Sequence, residues 1–154
     1  MKCPSVLIVG IGNQYLGDEG LGPHVVERLQ DAALPEHVSL VQCSTDLFAL
    51  ENAYCGERLV LIIDAIQTGA EPGTVHCIGE TDFDSFQIHS SSAHRISAVE
   101  AALLLKQVNP DFAEAEFVFV GIEPSNLTQG TQLSARVEKA LPELLEKIRF
   151  LLQI

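Results

Sequence analysis

Five consecutive apolar residues, Leu59-Val60-Leu61-Ile62-Ile63, stop abruptly at Asp64. A run with no alternation between faces suits a strand covered on both sides, as the strands of a parallel sheet are. Val6 to Val9, which ends at the glycine pair Gly10 and Gly12, has the same character, and so does Phe117 to Val120. Val38 to Val41 reads as a fourth strand. Thr74 to Ile78, after a Gly69–Gly73 turn that holds Pro72, reads as a short fifth strand whose direction the sequence leaves open. Four of these strands read as fully buried.

Between the strands, apolar residues recur at helical spacing. Leu21, Val25, Val26 and Leu29 follow the first strand, with Pro23 in a first-turn position. Ile96, Val99, Leu103 and Leu104 predict a helix from His94 to Val108, ended by Asn109-Pro110. Val137, Leu141, Leu144, Leu145, Ile148 and Leu152 predict a long amphipathic helix within Leu133 to Leu152. The stretch from Thr81 to Ser92 is polar and without a period, so it reads as a loop. Strands alternating with helices predict an α/β three-layer sandwich, a mostly parallel twisted sheet of about five strands with helices on both faces. At 154 residues the chain suits one domain, 1–154, since two independent cores are hard to build from it.

Charge narrows the partners. With 21 acidic against 9 basic residues the net charge is −12, which repels phosphate backbones and anionic lipid. Nucleic acid and membrane surface are therefore poor partners, whereas a cation or a basic peptide segment fits. No segment reaches the roughly 18 apolar residues that span a bilayer. The run Val6 to Val9 is too short for a secretory core and no cleavage site precedes it, so a cytoplasmic location is expected. Cys3, Cys43, Cys55 and Cys77 are scattered without a C-x-x-C pair, and read as small apolar fillers rather than a disulfide framework or a zinc site.

In a parallel α/β sheet, functional groups gather beyond the carboxyl ends of the strands. Glu19 lies in the loop leaving the first strand, Asp64 ends the most apolar strand, and His94 stands between a polar loop and a helix. Two carboxylates and an imidazole can hold a divalent transition metal with positions left open for substrate or water, or can serve as an acid–base set without metal. Each also has an ordinary structural use. Asp18 or Glu19 suits the first turn of the following helix, where the dipole favours negative charge. Asp64 could cap a turn, although an unpartnered carboxylate after five apolar residues would be costly. His94 suits a helix start at the surface. His24, His37, His76 and His89 have no comparable placement and read as surface or structural residues.

The glycines invite a nucleotide-binding reading, which the neighbouring residues oppose. Tyr15 stands where a dinucleotide loop needs its third glycine, and Asp18 stands where a P-loop needs lysine. A carboxylate there would repel phosphate.

The run Gly10-Ile11-Gly12-Asn13-Gln14-Tyr15-Leu16-Gly17-Asp18-Glu19-Gly20-Leu21-Gly22 closely resembles the N-terminal motif of the nickel-iron hydrogenase maturation endopeptidases. In that family a strand leads into G-x-G-N, four variable positions and an acidic pair before G-x-G. Ile62-Ile63-Asp64-Ala65 resembles its second block, and Ser92-Ala93-His94 sits where it places a histidine after a polar loop. Gly121-Ile122-Glu123-Pro124, with Gly130 and Leu133-Ser134, resembles its tail block. The likeness implies a single-domain peptidase that removes a C-terminal extension from a hydrogenase large-subunit precursor once nickel is loaded. It implies Glu19, Asp64 and His94 as nickel ligands, the nickel being supplied by the precursor. The segment Gln42-Cys43-Ser44-Thr45-Asp46-Leu47 departs from the D-G-G-T-x-G block of many members, which bears on which hydrogenase is served rather than on the reaction.

The chain has no G-x-S-x-G elbow and no cysteine with an evident base partner, so hydrolysis without a covalent intermediate is expected. Asp18 is a candidate base. A non-cleaving chaperone that recognises the metal in the precursor is the alternative, and a nucleotide-handling α/β enzyme a more distant one.

Overall fold

The computed structural model describes residues 5–85 and 98–154. Five strands, β1 (Val6–Ile11), β2 (Val38–Cys43), β3 (Leu59–Ala65), β4 (Val75–Gly79) and β5 (Glu116–Ile122), form one sheet in the order β2-β1-β3-β5-β4. The first three and β5 run parallel, and β4 runs antiparallel to β5. That direction follows from the short connection from Ile66 to Thr74, since a parallel return needs a crossover of about a dozen residues or more.

The apolar runs β1, β3 and β5 occupy the middle of the sheet and are buried nearly throughout. Three strands, rather than four, are thus fully covered. β2 is an edge strand and only half-buried, because its outer side has no neighbouring strand.

Alternate residues of each central strand feed two cores. Val6, Ile8, Leu61, Ile63, Val118 and Val120 face α1 (Leu21–Gln30) and the long C-terminal helix Ala135–Leu152. That helix lays Val137, Leu141, Leu144, Ile148 and Leu152 on the sheet, each fully buried side chain contributing about 1.5–3 kcal/mol. Leu7, Val9, Val60, Ile62, Phe117 and Phe119 face the other way, against α2 (Leu50–Ala53) and α3 (Ala98–Val108). The C-terminal helix, α4 below, starts at Ser134, whose hydroxyl accepts from the Val137 amide. The three-layer α/β sandwich expected from the sequence is the observed architecture.

Several short pieces were not anticipated, α2 and the 3-10 turns Gly17–Gly20 and Pro110–Phe112 among them, and two more join β2 to α2 and follow β4. A 3-10 turn, Leu47–Ala49, runs into α2, with the Asp46 side chain accepting from the Phe48 amide. Another 3-10 stretch, Glu80–Ser85, occupies part of the expected loop. Both are too short to show a period. The predicted loop beyond residue 85 and the helix start at His94 lie outside the described residues, as does Cys3.

α1 approaches the sheet unusually closely. A methyl group on Gly22 would lie 2.2 Å from the Ile11 carbonyl oxygen and 2.7 Å from that of Ile63. One on Gly10 would meet the Gly22 carbonyl at 2.6 Å. The glycines of the N-terminal motif therefore let helix and strand backbones touch, which seats the β1–α1 connection over both β1 and β3.

Candidate functional site

That connection carries Asp18 and Glu19. After β1 the chain turns at Gly12, whose φ of 140° lies where side chains are strained and whose Cβ would come 1.8 Å from the Glu19 carbonyl. The 3-10 turn Gly17–Gly20 then packs against β3. Glu19 is only 9% exposed. Asp64, the sixth residue of β3, is half-buried and paired in register with Gly121 of β5, where a Cβ would sit 2.0 Å from the Asp64 carbonyl. The fold thus brings the segments bearing Glu19 and Asp64 to the same end of the sheet, the end where the parallel strands finish. His94, with His89 and Ser90 to Ala93, lies outside the described residues. Among the described residues no three His, Cys, Asp or Glu side chains form a group that could hold a metal.

Asp18 serves a different purpose from its neighbour. It is fully buried, and its carboxylate accepts four hydrogen bonds. The Ser125 and Asn126 amides and the Ser134 hydroxyl donate to Oδ2, each at 2.8 Å, and the Ser134 amide donates to Oδ1 at 2.7 Å. The carboxylate is thus buried and turned into the β5–α4 connection, with both oxygens occupied by its donors. This argues against the base role that the sequence leaves open.

A second buried carboxylate, Glu123, was missed as a site element by sequence reasoning. Its oxygens accept from the Thr68 amide at 2.9 and 3.1 Å, the Thr68 hydroxyl at 2.9 Å and the Gly69 amide at 3.0 Å. His76 on β4 adds a contact of 2.9 Å from Nε2. Burial works against ionisation of Glu123, but the hydrogen bonds from His76, Thr68 and Gly69 outweigh it and hold the carboxyl below its ordinary value. His76 is accordingly a buried structural residue. The available signal was the polar Glu123 placed directly after six buried positions of β5.

Cys43 ends β2 inside the apolar core, and burial, aided by Asp46, pushes its thiol up. A thiol in that state is a poor metal ligand. His24 Nε2 contacts the Thr131 carbonyl at 3.1 Å, and His37 is exposed before β2.

Comparison with known proteins agrees with this architecture. The family model described as HycI, hydrogenase maturation protease, matches residues 23–149. A Pyrococcus furiosus protein called FrxA is 34% identical, with 86% of this chain and 94% of that protein covered. A putative hydrogenase maturation protease of Methanocaldococcus jannaschii is 29% identical, with 96% of each chain covered. Among solved structures, the NiFe hydrogenase maturation protease HybD from Thermococcus kodakarensis superposes with a TM-score of 0.77 at 28% identity, over 95% of this chain and 97% of that one. The Escherichia coli maturating endopeptidase HybD shares the fold with a TM-score of 0.81 at 24% identity, over 96% and 91%. The family match begins at Pro23, beyond the glycine motif, so it reinforces that motif instead of restating it. On these grounds the chain belongs to the hydrogenase maturation protease family.

Proposed function

We propose that this endopeptidase removes the C-terminal extension of a nickel-iron hydrogenase large-subunit precursor after nickel has been inserted. Glu19, Asp64 and His94 are the side chains that meet the nickel, which arrives as part of the substrate. The observation that carries this reading is the convergence of the Glu19 and Asp64 segments at the carboxyl end of the sheet. Two carboxylates and an imidazole form a donor set that suits a divalent nickel ion.

The chain's own contribution is binding and orientation. Glu19 is almost wholly removed from water, where attraction to a cation is stronger than at the surface. Holding the metal-bearing end of the precursor against Glu19 and Asp64 fixes the scissile amide relative to the enzyme, which turns attack by water into a positioned reaction. When bound, a divalent metal polarises a carbonyl or lowers the pKa of a bound water. The nickel acts in this scheme as proof that the precursor is filled. The cytoplasm, where such a precursor would be met, is the proposed location.

Mass spectrometry of the precursor after incubation tests the reading. Loss of a C-terminal peptide from the nickel-loaded form alone is expected. Tight binding with unchanged mass would mark a chaperone, and equal cleavage of nickel-free precursor would remove the recognition role of the metal.

A further inference from the structure

The β5–α4 connection, residues 123–134, holds both segments of the site. On one side its atoms bind the Glu19 turn: Ser125, Asn126 and Ser134 donate to the Asp18 carboxylate. The backbone adds to this, with the Asp18 amide donating to the Asn126 carbonyl at 2.8 Å and the Gly17 amide to the Gly130 carbonyl at 2.9 Å. On the other side Glu123 binds the segment that follows Asp64, through Thr68 and Gly69. The Ile66 amide also donates to the Ile122 carbonyl at 3.1 Å. The two anchor points, Glu123 and Ser125, are separated in the chain only by Pro124, whose ring fixes its own φ.

We propose that the tripeptide Glu123-Pro124-Ser125 is a clamp that sets the placement of Glu19 relative to Asp64, with Asp18 and Glu123 as its positioning residues. Neither carboxylate needs to touch the substrate. Each converts several neutral donors on distant loops into charge-assisted hydrogen bonds, which are shorter and more directional than neutral ones. A side-chain amide could not do the same, because its NH2 group would face an N–H donor. The backbone bonds fix where the two loops run, and the carboxylates add side-chain ties at the positions next to Glu19 and beyond Asp64, which hold one ligand in register with the other. The proposal rests on the reading of Glu19 and Asp64 as nickel-facing residues, which it extends to the groups that hold them.

The test is calorimetric binding of nickel-loaded and nickel-free precursor, measured separately for the wild type, Glu19→Gln, Asp18→Asn and Thr68→Val, with thermal unfolding of each protein alongside. Thr68→Val removes a single hydroxyl donor from Glu123 and keeps both amides, so it serves should Asp18→Asn fail to fold. For Glu19→Gln, loss of the preference for loaded precursor is expected. For Asp18→Asn the preference falls about tenfold or more, the scale of lost outer-shell support at metal sites, while affinity for nickel-free precursor stays as in the wild type. Thr68→Val lowers it about fivefold, as one hydrogen bond does. A purely structural role predicts otherwise: a lower Tm with the preference intact, or equal weakening toward both precursors. Either result overturns the clamp. If Glu19→Gln keeps the preference, the ligand reading itself falls. If Glu19→Gln loses it while Asp18→Asn and Thr68→Val keep it, the clamp alone falls.

Discussion

At the end where the parallel strands begin, Glu57 and Glu80 serve nearby groups. Glu57 accepts from the Cys55 amide two residues away at 2.8 Å. Glu80 accepts from Lys106 at 2.9 and 3.1 Å and from the Phe117 amide at 2.8 Å, joining the end of β4 to α3 and β5, whose buried residues share one core. At the end where the strands finish, Asp18 and Glu123 reach across long stretches of sequence to hold loops that lie beyond the five strands, beside an isolated bridge between Leu16 and Gly130. One end uses its carboxylates to finish local structure and the other uses them to join distant loops. The difference teaches that buried acidity does not by itself mark a site; what the carboxylate ties together does.

The strongest way to break this comparison is to remove the groups that Asp18 and Glu123 are thought to hold. Glu19→Ala or Asp64→Ala should lower processing about 100-fold or more with little change in Tm, read by precursor mass. His94→Ala should do the same, whereas His37→Ala, at an exposed position, should process normally. Normal processing by His94→Ala would make the ligand assignment wrong.

Next in size is a backbone test. Gly12→Ala forces a methyl group onto the Glu19 carbonyl at a strained φ and should cost about 3 kcal/mol in denaturant unfolding. A change near zero would mean that the turn adapts freely, and that nothing on β1 fixes Glu19.

A third test uses pH. The folded-state pKa of Glu123 is depressed, so its stabilisation is fully present above the ordinary carboxylate value of 4.5 and is lost as pH falls through the lower folded value. Wild type should therefore lose stability toward acid more steeply than Glu123→Gln over that range. Parallel acid limbs in urea titrations would contradict the hydrogen-bond network.

The smallest expected effect sharpens the contrast between the two ends. Glu80→Gln should cost about 1 kcal/mol and leave processing unchanged, since Glu80 lies at the far end of the sheet. Impaired processing by this variant would erase the distinction.

Much of the fold was legible where the period of a long element was unbroken. Leu59 to Ile63 could only be a doubly covered strand, and the Val137 to Leu152 pattern survived as one helix even with Pro142 inside it. α3 departs from this: of its expected apolar face Val99 is buried, but Leu103 and Leu104 are exposed, and Ala102 and Leu105 are buried instead. The edge position of β2 was not legible, since it depends on pairing partners distant in sequence. The direction of β4 was within reach of the short Ile66 to Thr74 connection, which the sequence reading left unused. For the site, the strand-end rule picked out Glu19 and Asp64, and the structure places their segments together. It could not separate Asp18 from Glu19. The two are adjacent acids in one turn, and only the donors arriving from residues 125, 126 and 134 show that Asp18 is engaged in holding loops. Glu123 was hidden for the same reason.

The central claim is that Glu19, Asp64 and His94 share one nickel ion. Anomalous diffraction at the nickel edge, from crystals of the enzyme bound to nickel-loaded precursor, addresses it directly. The account predicts carboxylate oxygens of Glu19 and Asp64 and an imidazole nitrogen of His94 all within about 2.2 Å of the nickel, the usual range for such donors. A nickel ion held without two of these three side chains would contradict it.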